Sequence, residues 1–162
     1  MIQRMKKLGV LVAFIVCMGA AVDSSAQKIG VMLGYGTEVE QLGLGVNGEF
    51  NINSKVSISP SFVYWFPNEP LKFWEFNANV NYYFTKAGSA DFYGLAGINL
   101  FTVKYDGDVP AGVDDSESKV GLNLGAGANF NIGKSWEPFT ELKFVIGDAD
   151  QLGLFFGVKF KI

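Results

Sequence analysis

Apolar and polar side chains alternate with a period of two from residue 28 to the final Ile162, and no window repeats apolar residues at helical spacing over three turns. The last segment is the strictest. Leu152, Leu154, Phe156, Val158, Phe160 and Ile162 share one face, and Gly153, Phe155, Gly157, Lys159 and Lys161 share the other. Alternate residues of an extended chain point to opposite sides, so the pattern predicts β-strands with one apolar and one polar face. Eight such segments follow one another: 28–36, 40–52, 55–66, 71–85, 91–105, 117–132, 136–147 and 150–162. Their number and spacing predict an all-β barrel or sandwich.

The segment ahead of them has another character. Arg4, Lys6 and Lys7 precede the apolar run LGVLVAFIVCMGAAV, and Ser24 and Ala26 are the small residues at positions −3 and −1 of a cut before Gln27. This is the layout of a secretory signal peptide over residues 1–26, leaving a mature domain over residues 27–162. An N-terminal anchor is the other reading, but a spanning helix takes about 20 apolar residues. Cys17, the only cysteine, lies inside the leader behind Val16, where a lipoprotein signal takes a small residue. Cleavage removes three bases from 13 and one acid from 16, leaving ten lysines against fifteen acids, a net charge of −5. The mature chain then has neither a disulfide nor thiol chemistry. An acidic chain without arginine is also a poor partner for nucleic acid.

Several β architectures share this alternation, and the two faces distinguish them. Leu42, Leu44, Val46 and Phe50 oppose Gln41, Gly43, Gly45, Asn47, Glu49 and Asn51; Trp74, Phe76, Ala78 and Val80 oppose Glu75, Asn77, Asn79 and Asn81. A soluble barrel, such as a lipocalin-like binder, would show water a surface rich in Gly and Asn and poor in charge, the reverse of what solubility favours. A membrane barrel would turn the apolar face to lipid and close the polar face around a narrow interior, which eight strands leave just wide enough for side chains. Each segment has at least nine residues, and a tilted strand needs about 9–11 to cross the hydrocarbon. Short polar turns at Asn53-Ser54, 86–90 and 133–135 alternate with connections near 37–39, 67–70, 106–116 and 148–149. Short periplasmic turns and longer external loops would put both termini on the periplasmic side. Aromatic residues such as Tyr35, Phe66, Trp74, Tyr82, Phe84 and Trp136 lie toward strand ends, where interfacial girdles belong. The expected fold is an eight-stranded antiparallel up-and-down transmembrane β-barrel with a polar interior. In the fifth segment, Phe92, Ile98 and Leu100 compete with Tyr93, Leu95 and Phe101 for the outward face. Pro60 and Pro138 each remove a ladder donor and predict a bulge or a strand end.

Over residues 27–162 the chain resembles the small eight-stranded outer-membrane barrels typified by OmpX and the transmembrane part of OmpA. The resemblance is most specific in the last strand, where Gly157, Phe160 and Ile162 match the C-terminal signal read by the barrel-assembly machinery. Ile162 stands where many members carry a terminal phenylalanine. The Ser-Ser-Ala-Gln end of the leader is similar to those of Bacteroidetes secreted proteins. The resemblance implies a bacterial outer-membrane location, with membrane lipid and lipopolysaccharide as surroundings.

Histidine is absent, which removes the His–Ser dyad of lipid-A-modifying barrels and any His or Cys ligation of zinc or haem. No enzyme activity and no cofactor or metal is expected. Glu49, Glu75, Glu141, Lys143 and Lys159 are expected to face inward. They form either an ion-pair network that plugs the barrel or an ion-conducting path; a glycosidase pair would lack room for a sugar. The loop with Asp106, Asp108, Asp114, Asp115 and Glu117 is either a solvated acidic loop or a weak divalent-cation bridge to lipopolysaccharide; Pro110 spoils the spacing of an EF-hand. The Gly-x-Gly steps at Gly34, Gly43 and Gly125 precede no helix, so they are expected to admit bulky inner neighbours rather than cradle phosphate. The expected role is membrane integrity or surface interaction by a monomer through its outer loops. The alternative is a small passive channel.

Overall fold

The computed structural model describes residues 27–107, 115–148 and 150–162. The predicted signal peptide, together with Asp108, Pro110 and Asp114 of the acidic loop, lies outside these residues. The strands are β1 (Gln27–Gly36), β2 (Gln41–Asn51), β3 (Val56–Asn68), β4 (Leu71–Ala87), β5 (Ala90–Tyr105), β6 (Ser116–Phe130), β7 (Trp136–Gly147) and β8 (Gln151–Lys161). They form one closed antiparallel barrel in chain order. β8 pairs with β1 from Lys28↔Lys161 to Gly36↔Gly153, which leaves the sheet no edge.

Closure follows from the two faces. Leu44, Val46, Val80, Leu122, Leu124, Phe144 and Phe156 point outward and stay exposed, forming an apolar belt round the barrel. Asn77, Asn81, Asn99, Asn123 and Asn129 point inward and are buried. Backbone groups facing lipid find no water to bond, so a strand with an apolar outer face must pair on both sides.

The turns at the end carrying the termini are sealed locally. The Asn53 side chain accepts from the Lys55 and Val56 amides at 2.8 and 3.0 Å. Ala87↔Ala90 closes a two-residue hairpin in which Gly88 has φ of +62°, the sign required at the first central position of a type II′ turn.

Three details depart from or complete the sequence reading. In β5, Phe92, Ile98 and Leu100 face outward, whereas Tyr93, Leu95 and Phe101 are buried inside. Pro60 causes neither a bulge nor a strand end: the β2–β3 register is the same at Asn47↔Ser61 and Phe50↔Ile58. Opposite the proline, the Ser59 hydroxyl donates to the Gly48 carbonyl at 3.0 Å, supplying a donor where the proline has none. Pro138, the third residue of β7, causes no bulge and stays paired with Val158 of β8; it lies one residue beyond Asn129↔Phe139, where the β6–β7 ladder ends and no donor is called for. Irregularities fall elsewhere, between Tyr83 and Thr85 and between Trp65 and Asn68.

The interior is not uniformly polar: an apolar cluster is added to the polar side chains expected there, and it fits the bulky inner neighbours expected beside the Gly-x-Gly steps. Met32, Val63, Trp65, Phe101, Phe139 and Phe155 form a buried apolar cluster, with Val39, Phe73 and Val103 packed against it. The inner glycines make this possible. The Phe155 ring occupies the space a Cβ would need at both Gly34 and Gly153, and Trp65 does the same at Gly43. Phe155 is thus seated over Gly153 of its own strand and Gly34 of neighbouring β1, and Trp65 over Gly43 of neighbouring β2.

Candidate functional site: the lumen and the loop-end mouth

Two polar clusters and one apolar layer fill the barrel. The central cluster is built on β4, where Glu75, Asn77 and Asn79 project inward from alternate positions. Lys143 of β7 reaches across to Glu75, Nζ to Oε1 at 2.6 Å, and donates to Asn77 Oδ1 at 3.0 Å. Asn99 Nδ2 of β5 donates to Glu75 Oε2 at 3.2 Å and to Asn77 Oδ1 at 2.8 Å. Asn123 of β6 joins Asn77 and Asn79 at 2.9 and 2.7 Å. Lys143 and Glu75 are 2% and 0% exposed, so both charges are removed from water and stand on their mutual attraction and these amides.

The second cluster lies nearer the termini. Lys159 of β8 contacts Glu49 of β2 at 2.6 Å and donates to Asn129 Oδ1 at 3.0 Å. The Tyr83 hydroxyl donates to the other Glu49 oxygen and accepts from Asn129 Nδ2 at 2.8 Å. Lys159 Nζ also lies 4.5 Å from the Phe139 ring centroid, so the ion pair abuts an aromatic face. Lys28 and Glu137 form a further pair at 3.0 Å.

Of the five residues singled out from sequence, Glu75 with Lys143 and Glu49 with Lys159 come together as two separate pairs. Glu141 joins neither: it accepts from the Tyr93 hydroxyl at 2.9 Å, since both lysines reach other acids. Tyr83, Tyr93 and the Lys28–Glu137 pair were missed. The inward phase of Tyr83 and Tyr93 was the available signal, but a tyrosine at a strand end reads equally well as a girdle residue. Of the C-terminal residues, Gly157 lies inside, and its Cβ position is taken by Phe139 and the Val31 carbonyl. Phe160 and Ile162 are exposed on the outer face.

Above the central cluster sits the apolar layer. Trp65 and Phe155 lie 6.0 Å apart at 52°, and Phe73 stacks on Phe101 at 6.0 Å and 26°. Over this layer, at the loop end, opens a cleft of about 560 Å³ lined by residues of the β1–β2 and β7–β8 turns and the ends of β4, β5 and β6.

Charge is divided between the two ends. Among the described residues the loop end carries eight acids, from Glu38 and Glu40 through Asp106 and Glu117 to Asp148 and Asp150, against Lys72, Lys104 and Lys119. The end with the termini carries Lys28, Lys55, Lys86, Lys134 and Lys161 against Asp91 and Glu137. Two loop-end lysines are already paired, Lys72 with Asp106 at 2.5 Å and Lys104 with Asp115 at 3.6 Å. The hydrogen bond from Lys72 holds the Asp106 carboxyl below its ordinary range. Among the described residues no group of three or more acids or other ligating side chains is arranged to hold a metal ion.

The chain matches the family described as outer membrane protein beta-barrel domain over residues 8–160. No individually curated protein matches it at a significant level. Among solved structures, it is similar to the N-terminal barrel domain of Pseudomonas aeruginosa OprF, at 14% identity and a TM-score of 0.69, covering 84% of this chain and 96% of that one. Neisserial surface protein A follows at 13% identity and 0.65, covering 84% and 96%. The attachment invasion locus protein Ail of Yersinia pestis follows at 18% and 0.59, covering 83% and 94%. At these identities the likeness is one of fold. With the family match spanning nearly the whole chain, and a closed eight-stranded barrel belted by apolar side chains, the chain belongs to the outer membrane protein beta-barrel domain family and is a protein of the bacterial outer membrane.

Proposed function

We propose that this barrel serves the outer membrane through its loop end, in membrane integrity or surface interaction, and passes no solute through its lumen. It does so as a monomer without enzymatic activity, with its apolar belt in lipid and lipopolysaccharide around the loop end. The loop end faces outward, and the barrel-assembly machinery reads Gly157, Phe160 and Ile162 during insertion. The observation that carries the reading is the Lys143–Glu75 pair, which joins β7 to β4 across the lumen beneath a layer of Trp65, Phe101 and Phe155. The pair is bonded on both sides to Asn77 and Asn99, so its charges are engaged with one another and with amides, which supports a lumen closed to hydrated ions.

Conductance in a planar bilayer tests this. The refolded protein is expected to give a silent trace. Steady unitary openings that disappear on substituting Glu75 or Lys143 would overturn it in favour of a passive channel.

A further inference from the structure

The loop-end cleft combines features that the closed lumen does not use. Its volume of about 560 Å³ falls within the range of small-molecule sites. It is blind, because the stacked Phe73 and Phe101 that line it belong to the apolar layer below. Glu38, Asp148 and Asp150 line it against a single lysine, Lys119. Lys72 and Lys104, the other loop-end cations, are already engaged with Asp106 and Asp115.

A second, independent feature points to a ligand. Gln151 lines the cleft, is only 4% exposed, and its Nε2 has no hydrogen-bond partner in the described protein. Gln41, also in the lining, has its buried Oε1 in the same condition. Native interiors rarely leave such atoms without a partner. The cleft is also held in shape by a glycine. A Cβ at Gly36 would stand 2.8 Å from Val39 Cγ2 and 3.0 Å from the Gln151 amide, so both side chains fold over the end of β1 only because that Cβ is missing.

We infer that this cleft binds a small organic cation with an apolar body, an aromatic amine being the best match. The ammonium donates to the acidic wall and to Gln41 Oε1. The aromatic body lies on Phe73 and Phe101. A hydroxyl or other acceptor on that body takes the Gln151 amide proton. The inference rests on the proposal that the loop end is the working surface, but not on the lumen being closed. A barrel that conducted and still bound the amine would separate the two.

The test is calorimetric titration of the full barrel in lipid nanodiscs with tyramine, 4-hydroxyphenylacetate and ethylammonium, with empty nanodiscs as the blank. Tyramine is expected to bind saturably and one to one. The anion, which keeps the ring, and ethylammonium, which keeps only the charge, are expected to give the blank signal. The E38Q/D148N variant should bind tyramine about tenfold more weakly, two rim charges each contributing a few-fold. Gln151→Leu should weaken it as well, with a heat-shift gel to check that the barrel is folded. If that variant fails to fold, amide shifts of Phe73, Phe101 and Gln151 on titrating the wild-type protein carry the test. Absence of saturable binding, equal binding of the anion or of ethylammonium, or an E38Q/D148N affinity equal to wild type would each overturn the inference.

Discussion

Lys143 and Glu75, 68 residues apart in sequence, touch at 2.6 Å although their strands, β7 and β4, share no backbone ladder. The contact crosses the lumen, so it ties together two walls that the backbone connects only through the ladders of β5 and β6 on one side and of β8, β1, β2 and β3 on the other. Lys143→Met should therefore destabilise the barrel by about 3–5 kcal/mol, because it strands a buried carboxylate. Adding Glu75→Gln should restore most of that loss by removing the orphaned charge. Urea unfolding of the refolded protein in vesicles measures both. Equal instability of the single and double variants would show that the pair's charge is not what matters.

Gly97 and Gly94 make a matched pair three residues apart on β5. A Cβ on Gly97 would overlap the Ala78 carbonyl and Asn79 of β4, whereas the nearest atom to one on Gly94 is 3.9 Å away. Gly97→Ala is expected to cost about 1–3 kcal/mol through overpacking. Gly94→Ala should stay within about 0.5 kcal/mol of wild type. The same unfolding measurement decides it, and equal costs would contradict the tight β4–β5 approach.

Leu124 lies in the outer belt near the middle of β6 and is half exposed. Leu124→Lys should cost about 2–4 kcal/mol in a bilayer, the price of a cation near the midplane. On a water-facing surface the same change would be close to neutral, so the lipid dependence of the cost reads the medium directly.

Deletion of Phe160 to Ile162 removes the pairs Ile29↔Phe160 and Lys28↔Lys161 and the bond from the Ile162 amide to the Gln27 carbonyl at 3.1 Å. Closure is lost at one end of the seam. The truncated chain is expected to fail to accumulate in the outer membrane, as judged by fractionation and heat-modifiability. Normal levels would show that the last three residues are dispensable.

The sequence displayed the strands and their outer face because lipid imposes one rule on every outward position: Leu42, Leu122 and Leu154 are all apolar for the same reason. The interior follows no single rule, and this is why β5 could not be phased. Tyr93 and Phe101 are as apolar as Phe92 and Ile98 because part of the lumen is an aromatic layer. Inward residues could be named from their phase, as with Glu49, Glu75, Glu141, Lys143 and Lys159. Their partners could not. Whether Lys159 meets Glu49 or Glu141 depends on the stagger of strands round the barrel, which a list of alternating residues does not contain. The cleft at the loop end was invisible for a related reason. Gln41 and Gln151 are 110 residues apart in sequence and line one space only after β8 has closed on β1.

On the proposed reading of a closed lumen, two stoppers of different kinds act in it, a group of aromatic side chains and, beneath it, ions held by amides. They act in series, so a continuous path exists only when both are displaced at once, and two small opening probabilities multiply. Their sensitivities also differ: the aromatic layer loosens on cooling, while the ion layer, shut away from water, feels added salt very little. A single substitution that breaks one stopper would leave the other to hold the permeability barrier. On that reading the tightness is redundant, and a substitution that destabilises one stopper is expected to leave the conductance of the refolded barrel unchanged.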